Sequence, residues 1–246
     1  VLRPGQHRAE AIRAGAVEAE WRWLHRIGGV AAVLLVVLTV LHAGVFFVAG
    51  LPTTVAEWFA LFQESALLGL LAFELLMVAY VVVSVPVVLA LYAALRRASP
   101  SLMAAFLALS LIGIGAFVAA RPGFEMLSLS QSHAAAATAA ERSVALAAGE
   151  AMLATFHGTA FWVSYVLGSL TGLLVAAAML RSGVFGRATA YLRIASSALD
   201  LGLFVPTIGL FLSLGSVLCL LVFNVLVARR LLHLGWSTRP GGVAGR

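Results

Sequence analysis

Lysine is absent from this chain and cysteine occurs once. All sixteen basic residues are therefore arginine. The lone Cys219 sits inside an apolar segment, which excludes an intrachain disulfide and reads as a small buried hydrophobe. Charge is also scarce. Only 11% of the 246 residues are charged, against about 25% in an ordinary soluble domain. A chain of this kind has too little polar surface to cover a core in water, so a soluble globule is excluded. Catalytic signatures are missing as well. There is no phosphate loop, dinucleotide fingerprint, nucleophile elbow, His-Glu-x-x-His or paired-cysteine motif.

What is present is hydrocarbon. The chain is 62% hydrophobic, with a mean hydropathy of +1.05. Apolar runs cover about 27–49, 66–95, 102–120, 151–180 and 188–228. The last is twice the roughly 20 residues of one crossing. The segment Val205-Pro206-Thr207-Ile208-Gly209 supplies a turn that divides it. The expected fold is all-α: a polytopic membrane protein of six transmembrane helices. No long internal repeat is evident. No cleavable signal peptide is evident either, and the first span is expected to act as the insertion signal.

The arginines orient the expected bundle. All but Arg121 and Arg142 fall before the first span, between the second and third, flanking the fourth-to-fifth turn, or after the sixth. The positive-inside rule then places both termini in the cytoplasm. The formal charge of +6 reads as contact with anionic headgroups of the lipid bilayer, with no nucleic acid partner. Three parts are expected. Residues 1–26 form a cytoplasmic interfacial segment, 27–234 the six-helix domain, and 235–246 a flexible cytoplasmic tail. On the outer side, residues 55–64 place Trp58, Phe59 and Phe62 near one another on a short interfacial helix. Residues 122–150 form the one sizeable loop, with Thr138-x-x-Glu141 starting a helix near Ala139. Pro86 is a candidate kink, and Gly168-x-x-x-Gly172 a close-packing site within the bundle.

From Trp58 to Leu234 the chain resembles a bacterial six-span family, domain of unknown function 4386. The resemblance rests on Glu57–Gln63, Ala90–Arg97, Phe124–Ser130, Gly158–Gly168 and Met179–Tyr191, in that order and spacing. It implies six spans in a bacterial plasma membrane. It implies no reaction, cofactor or catalytic residue. The arginine-only, Ala- and Leu-rich usage fits a bacterial gene of high GC content.

Four ionisable residues lie inside the expected spans: His42, Glu74, His157 and Asp200. Such groups need a partner or a water-filled cavity. Counting residues from the span ends puts all four roughly 6–12 Å below the outer surface. Glu150 could join from the rim, while Arg193 can snorkel to the cytoplasmic face. Two histidines and two carboxylates are suitable ligands for a divalent metal. Haem would need His42 and His157 to face each other. The plainer alternative is a hydrogen-bonded layer that locks the bundle. Thr155, Thr159, Ser164 and Tyr165 form a polar stripe expected to turn inward, and Asn224, Ser213 and Ser216 read as interhelical glue. His7 and His133 are expected in solvated loops.

Three functions stay open. The first is a non-catalytic binding protein or accessory subunit, with other membrane subunits as partners. The second is a small-molecule or proton-linked transporter using Glu74 and Asp200. The third is a metal-dependent membrane hydrolase built on the outer His/carboxylate group.

Overall fold

A computed structural model describes residues 4–205 and 207–237, with side chains from residue 21 onward except that of Leu210. Pro206 and most of the expected C-terminal tail lie outside the described residues. Among the described residues every regular element is helical.

Helix α1 spans Pro4–Ala49, so residues 4–26 continue into the first span without a break. Gly50 ends it, at φ 76°, a conformation in which glycine carries no side-chain penalty. Helix α2, Val55–Glu64, opens on a full capping box between Thr54 and Glu57. Helix α3 runs Ala66–Leu95. It continues through Pro86 and contains a π-helical turn at Leu71–Leu75. Helix α4, Pro100–Ala119, starts with proline in its first turn, where the missing N–H has no partner to lose.

The expected loop after α4 is itself helical. It contains α5, Gly123–Ala135, and α6, Ala139–Phe156. The Thr138/Glu141 capping box forms as its spacing predicts: the Glu141 N–H donates to Thr138 Oγ1 at 3.2 Å, and the Thr138 N–H to Glu141 Oε2 at 3.2 Å. The helix does not run straight into the next span. It stops at His157-Gly158, and α7 begins afresh as Thr159–Ser182. Helices α8, Arg187–Leu201, and α9, Gly209–Trp236, follow. A 3-10 turn at Gly202–Phe204 and a bend lie between them. Thr207 there holds φ 73°, a strained value for a β-branched residue. The chain reverses at this point, and α8 packs along α9.

Among the described residues, five segments are long and apolar enough to cross a membrane: Trp21–Ala49, Ala66–Leu95, Pro100–Ala135, Ala139–Ser182 and Phe211–Trp236. The long helices form a ring in chain order. Helix α1 packs on α3, α3 on α4, α4 on α7, α7 on α8 and α8 on α9, and α9 returns to α1. Their outward faces are apolar. Val30, Val33, Leu34, Val37 and Leu41 are exposed on α1, and Leu214, Leu218, Val222 and Val225 on α9. Contiguous exposed apolar surface of this extent belongs against lipid.

Two cores result. One fills the arginine-rich half of the ring, with Leu35, Leu95, Met103, Met179 and Leu231 buried in it. The other lies under a cap of α2, α5 and α6. Trp58, Phe59 and Phe62 are buried here. The Trp58 ring meets Phe73 edge-on at 4.7 Å. The aromatic face of α2 is therefore covered by protein, where the sequence alone suggested lipid.

Candidate functional site: a polar cavity inside the helix ring

Asp200, near the end of α8, accepts hydrogen bonds from the hydroxyls of Ser216 and Tyr165, the latter at 3.4 Å. Tyr165 also reaches Ser213 at 3.3 Å. Arg193 is seven residues, two turns, before Asp200 on α8, so both lie on one face. Its Nη2 donates to the Gly168 carbonyl at 3.1 Å, and its guanidinium lies 5.6 Å from the Phe223 ring. Gly172 makes room for it. A Cβ at that position would lie 2.6 Å from Arg193 Nε and would also collide with Ser197 Oγ. The small residues of the Gly168-x-x-x-Gly172 pair thus seat an arginine from the neighbouring helix. Arg193 does not snorkel out to the edge of the bundle; it faces the interior.

Asp200, Tyr165 and Arg193 line a cavity of about 290 Å³. All six long helices contribute, from Leu35 on α1 to Asn224 on α9. Tyr80 faces the Asn224 side chain across it. Ser164, Ser169, Tyr165, Arg193 and Asp200 supply polar wall, and Val87, Leu91, Phe106 and Val175 apolar wall. Ser169 Oγ in the lining is buried with no hydrogen-bond partner, and the Asn224 amide has the Tyr80 hydroxyl as its polar neighbour. Buried polar groups in native proteins are nearly always satisfied, so Ser169 leaves bonding capacity for an occupant. A charged arginine at membrane depth is tolerated because it has partners. Facing hydrocarbon, it would cost about 2.5–3.5 kcal/mol on insertion scales.

The other members of the expected layer are placed elsewhere. Glu74 falls within the π turn of α3 and is only 7% exposed. It accepts the Gly123 N–H, and it is electrostatically coupled to Arg121 and Glu125. Arg121 was read from the sequence as one of two outer-loop arginines. It is 9% exposed, and its guanidinium lies 3.9 Å from the Phe117 ring and 4.4 Å from Phe156. His42 is half-buried, 4.7 Å from Phe46, and senses the Arg121 charge. His157 caps α6 and is exposed, its ring 4.9 Å from Phe156, and its Nδ1 lies 3.2 Å from the Leu153 carbonyl. Glu150 is exposed.

Glu74, His42 and Arg121 thus belong to the capped end of the bundle, while Asp200 belongs to the central cavity. Among the described residues, no group of three or more His, Cys, Asp or Glu side chains is arranged to hold a metal ion. Of the expected polar stripe, Ser164 and Tyr165 line the cavity, whereas Thr155 and Thr159 are exposed. His133 is half-buried against Phe59, at 5.5 Å, and is not in a loop. Cys219 is a half-buried free thiol.

Local sequence signals did not reveal Arg121 or Arg193. The available hint was a carboxylate at membrane depth for each to couple with electrostatically, Glu74 for Arg121 and Asp200 for Arg193. The fold defines a multi-pass helical membrane protein with a mostly apolar internal cavity that carries a few polar groups. Compared with protein families, curated proteins and solved structures, the chain matches none.

Proposed function

We propose that this protein is a six-span membrane protein, both termini cytoplasmic, that binds a small molecule in the cavity at the centre of its helix ring. Helix α8 supplies the sixth crossing. With its 3-10 extension it covers 18 residues, about 27 Å at 1.5 Å per residue, close to the thickness of the hydrocarbon core. It also takes a full place in the ring, between α7 and α9. The family resemblance would set the chain among bacterial plasma-membrane proteins and adds no chemistry.

The observation that carries the binding reading is the cavity wall itself. Mostly apolar sites with a few convergent polar groups are the usual form of a small-molecule pocket. Here Ser169 Oγ, buried without a partner, joins Asn224, Tyr80, Arg193 and Asp200 in one lining. An occupant with a polar head and a short apolar body fits both walls. The test is mass spectrometry of small molecules released from the purified protein. A compound should accompany the wild type and be lost from Asn224→Leu and Asp200→Asn. A cavity holding only water in an experimental density map, with no released compound, would overturn the reading.

A proton-linked carrier is the second reading. It is favoured by one observation, a carboxyl group in the cavity bonded to Tyr165 and Ser216. In reconstituted vesicles this reading requires Asp200→Asn to abolish pH-driven uptake of that compound. The metal-dependent hydrolase has no comparable support.

A further inference from the structure

The arginine-rich end of the bundle holds a second cavity, of about 650 Å³. Arg22 and His25 line it from α1, Arg96 and Arg97 from the end of α3, and Arg230 and His233 from α9. Among the described residues no carboxylate lines it. Four guanidinium groups therefore share one concavity with no counter-charge among its described walls. Like charges confined in this way repel, and a bound anion relieves the repulsion.

Two of the four are held in position. Arg96 lies over the Trp21 ring at 4.0 Å. Arg230 Nε donates to the Val184 carbonyl at 2.6 Å, which leaves its terminal nitrogens for another acceptor. His25 Nε2 is buried and has no hydrogen-bond partner. Trp23 and Trp236, both exposed, line a separate apolar groove beside Arg26 on the same end of the bundle, as indoles at headgroup level do. Guanidinium forks match the oxygens of a phosphate, and positioning them in advance reduces the entropy lost on binding.

We propose that this cavity binds a phosphate group, carried either by an anionic phospholipid headgroup or by a soluble ion. The site uses no residue of the central cavity and stands independently of it. Basic recesses between helix ends are a recurrent form of phosphate-headgroup recognition.

The full chain in phosphatidylcholine nanodiscs supplies the test. One arm titrates inorganic phosphate into the buffer. The other raises the mole fraction of phosphatidic acid. Native mass spectrometry counts adducts, and thermal unfolding reports the associated stabilisation. Saturable binding of phosphatidic acid alone assigns a lipid headgroup, and saturable binding of inorganic phosphate assigns a soluble ligand. In either case the Arg96→Gln/Arg97→Gln variant should bind at least tenfold more weakly. Arg97 is exposed, so Arg97→Gln alone keeps the fold and should weaken binding at least threefold. Arg187→Gln, exposed and outside the cavity, should match the wild type. No saturable binding of either probe overturns the proposal. So do losses smaller than these, or an equal loss in Arg187→Gln.

Discussion

A methyl group added at Gly28 would collide with the Ala90 methyl and lie 3.0 Å from the Pro86 carbonyl. One residue later, a methyl at Gly29 would lie 2.7 Å from Leu232 Cγ and 3.0 Å from the Leu232 backbone nitrogen. The two glycines thus face different neighbours, α3 and α9, and let α1 wedge between them. Neither the Ala90 methyl nor the Pro86 carbonyl can swing away, so Gly28→Ala should destabilise by about 1–3 kcal/mol, the usual range for overpacking. Gly44→Ala is its control, because a Cβ there meets nothing within 4 Å. It should be neutral or raise stability by up to about 1 kcal/mol through helix propensity. Thermal unfolding of both variants in detergent checks the contrast, and equal behaviour would refute the wedge. The Gly28-Gly29 pair carried no signal of its own, because which glycine meets a neighbour depends on helix rotation. The same ignorance hid the partners of Glu74. Counting along a span gives depth, and on depth alone Glu74 and Asp200 belong together. Azimuth around the ring places one beside Arg121 and the other beside Tyr165 and Ser216.

At the scale of the element, α2 shows what local chemistry does encode. Glu57 accepts the backbone N–H groups of Thr53 and Thr54, at 2.6 and 3.1 Å, and the Thr53 hydroxyl at 3.1 Å. These bonds favour its ionised form and hold its carboxyl below the usual carboxylate range. A lowered folded pKa contributes stability that is present above the unfolded value and lost as pH falls through the folded one. Acidification below the ordinary carboxylate pKa should therefore loosen the first turn of α2. Amide exchange at residues 54–57, compared between wild type and Glu57→Gln, measures it. The wild type should be the better protected at neutral pH, and the difference should vanish in acid. A difference that persists in acid would contradict the assignment. The Thr138/Glu141 start of α6 and the turn before Gly209 were legible for the same reason: each is settled by residues within a few positions. The stop at His157-Gly158 was not, since the apolar pattern runs across it unchanged.

For the whole molecule, arginine bias makes the orientation testable. Ser132 is exposed at the capped end, on α5, and Ala98 is exposed just after α3 at the arginine-rich end. In a Cys219→Ala background, an impermeant maleimide added to intact cells should label Ser132→Cys. It should reach Ala98→Cys only after the membrane is opened. Labelling of Ala98→Cys from outside would invert the topology. The ring was not readable from hydropathy, which counts spans without ordering them in space. Its closure has a consequence for biosynthesis. The first long helix has its neighbour on one side early, from α3, but on the other side it waits for the end of the chain. Arg26 Nε reaches the Gly235 carbonyl at 2.8 Å across 209 positions of sequence. Until α9 leaves the ribosome the bundle is an open crescent, with the cavity lining bare along one flank. A nascent chain halted before Gly209 would present Arg193 and Asp200 to lipid or to an insertion chaperone, and the last helix would complete the wall only when it arrives.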